Sequence, residues 1–139
     1  MPVSFRIFPK RGLVLVRYWG RVTLEESARA FGCYASDPEF RPGQDQLVDL
    51  SGVTAFEKDY LRFMAMQAEK AEILLASGAR TLLVFYAPSA VSREIAETTM
   101  RSWEPSDKLV PMMQEDEADA LALLGQRETR IEDLLQTAR

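Results

Sequence analysis

The chain has 139 residues, 47% of them hydrophobic and 27% charged, which suits one globular domain with a single core and excludes a disordered composition. Its net charge of −4 arises near the end, since residues 114–139 hold seven of the 21 acidic side chains and three of the 17 basic ones. The rest is balanced, and without clustered Lys and Arg to hold a phosphate backbone, nucleic acid is excluded as a partner.

Other classes fall away for similar reasons. The longest uncharged apolar run, 81–91, contains Pro88 and is far shorter than the roughly 20 residues of a membrane-spanning helix. The N-terminal stretch is broken by Arg6, Lys10 and Arg11 and lacks the apolar core of a secretory leader. A single cysteine, Cys33, cannot form an internal disulfide, so the cytoplasm is the expected compartment.

Residues 3–8 and 12–19 alternate apolar and polar or aromatic side chains at strand period, and the connector 9–12 is of hairpin length. An antiparallel hairpin is predicted, ended by Gly20. Thr23 and Glu26 form a capping-box signature, so a helix starts near Leu24, turns Leu24, Ala28, Phe31 and Ala35 inward, and stops at Asp37-Pro38. Residues 38–46, with two prolines and a glycine, read as a surface loop.

The stretch 47–56 (LVDLSGVTAF) reads as a short central strand closed by Ser51-Gly52. A long helix over 57–77 follows, ended by Gly78, with Tyr60, Met64, Ala68, Ala71 and Leu75 as one apolar stripe and Phe63, Met66 and Ile73 to its side. One stripe faces the sheet and the other needs a cover. Residues 80–87 are a second buried strand; Pro88-Ser89 opens a helix with Val91, Ile95, Thr99 and Trp103 on its inner face and Pro105 beyond its end. Residues 108–113 make an edge strand, because Pro111 lacks a ladder donor. Two helices close the chain: one behind Glu115, Asp116 and Glu117 with Ala118, Leu121 and Leu124 inward, and one over 128–138 offering Ile131, Leu134, Leu135 and Ala138. The fold class is therefore α/β: a sheet of about five strands, an N-terminal hairpin then mainly parallel, flanked by helices in a single domain over 1–139.

In that order, VRYWGRVTLEE (16–26), the DP of 37–38, LVDLSGV (47–53), LLVFYAP (82–88) and EADALALLG (117–125) resemble the SpoIIAA-like proteins, relatives of the STAS domain of sulfate transporters and anti-sigma factor antagonists. The resemblance implies a non-enzymatic domain that binds partner proteins or, in lineages akin to CRAL-TRIO domains, apolar ligands. It also implies a phosphorylatable serine at the start of the helix after the central strand, in a DSSG-type motif. Counting from Asp49, that motif falls on Glu57-Lys58-Asp59-Tyr60, with Lys58 at the acceptor position. A lysine cannot carry the phosphate, and no regulatory phosphorylation of Ser51, seven residues earlier, is expected.

The chain has no histidine, which removes the commonest general base and metal ligand. No enzyme, no metal and no cofactor are expected, and Cys33 is expected to be a buried structural thiol. Asp49 and Ser51 lie at the carboxyl end of the central strand, with Tyr86 and Ser89 ending its neighbour, where open α/β sheets tend to bind ligands; backbone capping is the plainer role for Asp49 and Ser51. Phe63, Met64, Met100 and Trp103 are expected to line any apolar pocket between the helices and the sheet. The function expected is a non-catalytic domain acting through protein–protein contacts, self-associated as a dimer. The alternative is a carrier of a small apolar or amphipathic, lipid-like molecule.

Overall fold

A computed structural model describes residues 2–104 and 106–137. Strand β1 (Val3–Phe8) pairs antiparallel with β2 (Leu13–Val22), the two joined by one 3-10 turn at Pro9–Arg11. That turn closes on Gly12 at φ 60, a left-handed conformation that suits glycine. Helix α1 (Leu24–Ala35), β3 (Asp45–Phe56), α2 (Tyr60–Leu75), β4 (Thr81–Tyr86), α3 (Ala90–Ser102), β5 (Leu109–Gln114), α4 (Glu117–Leu123) and α5 (Ile131–Gln136) follow. The sheet order is β1-β2-β3-β4-β5, parallel from β2 onward. As expected, β5 with Pro111 is an edge. Pro105 and Ala138 lie outside the described residues.

Strand pleating sends alternate side chains to two cores. On one face Leu15, Leu47 and Val84 pack with Leu121, Ile131 and Leu134 of α4 and α5. On the other Val48, Leu50, Leu83 and Phe85 meet Leu74 of α2, Ala96 of α3 and Trp103. Arg11, in the β1–β2 turn, locks the last helices down through a bidentate pair with Glu128 at 2.7 and 3.0 Å. That pairing holds the Glu128 carboxyl at about 2, well below its ordinary range.

Several boundaries differ from the sequence reading. Gly20 does not end β2, which runs to Val22, and Ser51-Gly52 does not close β3, which continues to Phe56. Register shifts between Arg17 and Trp19 and between Gly20 and Arg21 set extra β3 residues against β2, and such bulges reverse the in-and-out alternation. Val53 thereby joins the same core as Leu50. The segment 38–46 is not all surface, since Gln44 and Gln46 are buried and Tyr34 donates to Gln44 Oε1 at 2.7 Å. In α1 the buried side chains are Leu24, Ser27, Ala30 and Tyr34, with Ala28 exposed. Cys33 is exposed rather than buried, because the inward phase passes through Tyr34. Glu26 completes the Thr23 cap by accepting from the Thr23 hydroxyl at 2.6 Å. In α4, Ala120, Leu121 and Leu124 are the buried residues and Ala118 is half-buried.

Gly52 shows why β2 and β3 can approach at the bulge. A Cβ there would meet Trp19 Cβ at 3.1 Å and the Tyr18 carbonyl oxygen at 3.3 Å. Gly52→Val is expected to destabilise the protein by about 1–3 kcal/mol through overpacking against β2. Urea unfolding measures it, and an unchanged midpoint would show that the strands yield without cost.

Candidate functional site

The residues singled out in the sequence fall on opposite faces of the sheet. Asp49 and Tyr86 are register partners where β3 and β4 part, on the α4–α5 side. Asp49 is buried and both its oxygens are engaged: Oδ1 accepts from the Ser51 backbone N–H at 2.9 Å and hydroxyl at 2.6 Å, and Oδ2 from Arg17 Nε at 3.1 Å. This is the local turn-capping pattern of aspartate. Tyr86 has its hydroxyl pKa raised, first by burial and then by the carboxylates of Glu117, Asp49 and Asp116. Ser89 is the N-cap of α3: its Oγ accepts from the Ser92 N–H, and its own N–H donates to Ser92 Oγ. Asp49 and Ser51 hold a strand end, and Ser89 a helix start, in place.

The opposite face holds a partly open cavity of about 100 Å³, lying between α1, α2 and α3 and strands β2, β3 and β4. Phe63 and Trp103 line it, as expected, but Met64 and Met100 do not. Met100 instead borders an open groove with Pro111 and Met113, and Met64 is half-buried on the flank of α2. Trp103 is buried, its indole N–H donating to the Gln67 carbonyl at 3.0 Å and tying the end of α3 to α2.

The cause is the phase of α2. Its cavity-facing residues are Phe63, Met66, Gln67, Lys70 and Leu74, spaced i, i+3, i+4, i+7 and i+11. Two of those five positions are polar, so the apolar count pointed the helix about a quarter turn away. Of the stripe read from the sequence, Ala71 and Leu75 pack against the core, Met64 is half-buried, and Tyr60 (63% exposed) and Ala68 stay outside; beside them Leu61 (82% exposed) and Ala65 are exposed too. Ile73 is also exposed.

Lys70 is the group that the sequence reading passed over. Its ammonium has no carboxylate partner among the described residues; it donates to Ser27 Oγ at 3.1 Å and stands 5.7 Å from the centre of the Phe31 ring. Ser27 Oγ is in turn 2.9 Å from the Tyr18 hydroxyl. Loss of water lowers the Lys70 pKa to about 8, and burial raises that of Tyr18 against a smaller opposing effect of the Ser27 hydrogen bond. On the sheet side of the same cavity, Gln46 is 7% exposed and its Nε2 finds no hydrogen-bond partner. The signal available in the sequence was a lysine at an i+7 position of an inward face. Lys58, at the expected switch position, precedes the Asp59 N-cap of α2 and pairs with Glu94 at 3.4 Å.

Among the described residues, no cluster of side chains could hold a metal ion and no helix is long and apolar enough to cross a membrane. No protein-family profile matches the sequence, and no curated protein does. The structure is similar to that of the anti-sigma factor antagonist SpoIIAA in its unphosphorylated form, with a TM-score of 0.52 at 13% identity over 88% of this chain and 97% of that one. The chain therefore has the SpoIIAA-like α/β fold: a five-stranded sheet, antiparallel at β1–β2 and parallel beyond, with flanking helices.

Proposed function

We propose that this chain is a non-catalytic interaction domain that works through protein contacts, self-associates across the outer face of α2, and does so without a serine switch. The uncovered strip of Tyr60, Leu61, Met64, Ala65 and Ala68 carries the reading. Clustered exposed apolar side chains of this kind mark interfaces, whereas single ones are ordinary surface. The similarity to an anti-sigma factor antagonist supports a role in protein binding. A second copy suits the strip because it is uncharged. In a two-fold antiparallel pairing, Arg62 near the start of one α2 would also face Glu69 and Glu72 near the end of the other. One helix face is smaller than the roughly 800 Å² per partner of a stable specific interface, so the dimer is weak and concentration-dependent.

The switch is missing because no serine lies between Ser51 and Ser77, a stretch that includes the first turn of α2. Ser51 itself donates to Asp49, against whose charge a phosphate would stand. A carrier of long-chain lipids is disfavoured by size, since 100 Å³ is less than the roughly 150 Å³ of a cavity that holds benzene alone.

Leu61→Asp is expected to leave the melting temperature unchanged, because the side chain is 82% exposed, and to abolish dimerisation. Sedimentation velocity over a micromolar series tests this. A wild type that stays monomeric at the top of the series, or a Leu61→Asp variant that dimerises equally, rules the interface out.

A further inference from the structure

We propose that the cavity between α1, α2, α3 and the sheet is a binding site for a short monocarboxylate, its anionic head on Lys70 and Ser27 and its alkyl end against Val48, Leu50 and Phe85. The site reaches beyond the protein-contact reading and stands independently of it.

Three observations converge on an anion with a small apolar end. First, the cavity walls are mainly apolar: Val22, Leu24, Val48, Leu50, Phe63 and Phe85 among them. Secondly, the one basic group entering that space is Lys70, and its neighbours are a hydroxyl and an aromatic face instead of a carboxylate. A cation in such a place is under-compensated, and bringing an anion to it restores the missing half of the pair. Thirdly, the Gln46 amide offers an unused donor from the sheet side, where a second hydrogen-bonding contact would be satisfied.

Glu57 is the carboxylate that also lines the cavity, and it is occupied elsewhere. Its Oε1 accepts from the Leu24 N–H at 2.9 Å and its Oε2 from Arg62 at 3.2 Å. The other titratable group on the wall is Tyr18, from β2; α3 contributes Ile95, Thr99 and Trp103, none of which titrates near neutrality. Lys70, with its pKa at about 8, is mostly protonated at pH 7 and so presents a charge to the ligand.

Volume sets the length. A cavity of roughly 150 Å³ holds benzene, with its six heavy atoms, so 100 Å³ leaves room for about four or five, the size of acetate or propionate. A hydrogen bond to a charged group is worth enough to make the charged ligand roughly ten- to a hundredfold tighter than its neutral analogue.

The test is a methyl-labelled NMR titration with propionate, n-propanol and octanoate as probes, repeated on Lys70→Met and Gln46→Leu. Propionate is expected to give saturable shifts at Val48, Leu50 and Leu83. Propanol should bind at least about tenfold more weakly, octanoate should leave those methyls unmoved, Lys70→Met should lose propionate binding, and Gln46→Leu should weaken it. In the wild type, affinity should fall as the pH rises through about 8, which needs no variant to fold. Equal binding of propionate and propanol, tighter cavity binding of octanoate, unchanged affinity in Lys70→Met, or no saturable shift at all would each overturn the assignment.

Discussion

Trp103→Ala is expected to lose about 3–5 kcal/mol of stability, a large share of the roughly 5–15 kcal/mol that holds a domain of this kind folded. The indole is 6% exposed and packs at the end of α3 in the core shared by Val48, Leu83 and Leu109. Its removal leaves a void beside a cavity that already exists, so the helices have little nearby mass with which to close it. It also strips the Gln67 carbonyl of the indole N–H that meets it at 3.0 Å. Trp103→Phe separates the two effects, keeping most of the packing and losing the donor, at about 1–2 kcal/mol. Urea unfolding of both variants is the measurement. A loss below about 1 kcal/mol for the alanine would mean that α2 and α3 are not coupled through this side chain.

That coupling explains what the sequence could and could not show. The order of elements was legible because each has its own local signal: the alternation of 3–8, the Thr23 cap, the glycines at 12, 78 and 125 with positive φ, and Pro111 on an edge. Position along the chain survived, but rotation about each axis did not. In α1, Ser27 is buried and Ala28 exposed; in α2, Gln67 and Lys70 point inward while Leu61 points out. Counting apolar residues turns a helix wrongly whenever polar groups point inward in company, as Ser27 and Lys70 do, hydrogen-bonded across two helices and 43 residues apart in the chain. The bulges between β2 and β3 were hidden for a related reason, as only the partner strand reveals an extra residue. Of the candidates at the sheet's carboxyl end, Asp49 and Tyr86 thus lie on the face opposite the cavity and Ser89 caps α3, and among the helix candidates only Phe63 and Trp103 reached the cavity.

Lys70→Met is expected to make the protein more stable at pH 7, by on the order of 1–2 kcal/mol. Desolvation lowers the Lys70 pKa from 10.5 to about 8, which means that the folded state holds its proton less well than the unfolded chain does. The full shift would correspond to more than this. The side chain is half-buried and keeps its bond to Ser27, so the smaller figure is the appropriate one. Methionine retains the unbranched stem and abolishes the desolvation cost. The sign of the pH dependence follows from proton counting. Between about pH 8 and 10.5 the unfolded state binds more protons at this group than the folded state, so wild-type stability rises across that window. Above pH 10 the half-buried Tyr18 and the buried Tyr34, whose pKa values are raised, act in the opposite direction, so the rise is cleanest between about 8 and 10. Denaturation midpoints collected from pH 7 to 10 should climb in the wild type and stay flatter in Lys70→Met, the two curves converging at the alkaline end. Parallel curves, or a methionine variant less stable than wild type at pH 7, would show that Lys70 is already compensated in the folded protein and that its cavity has no need of an anion.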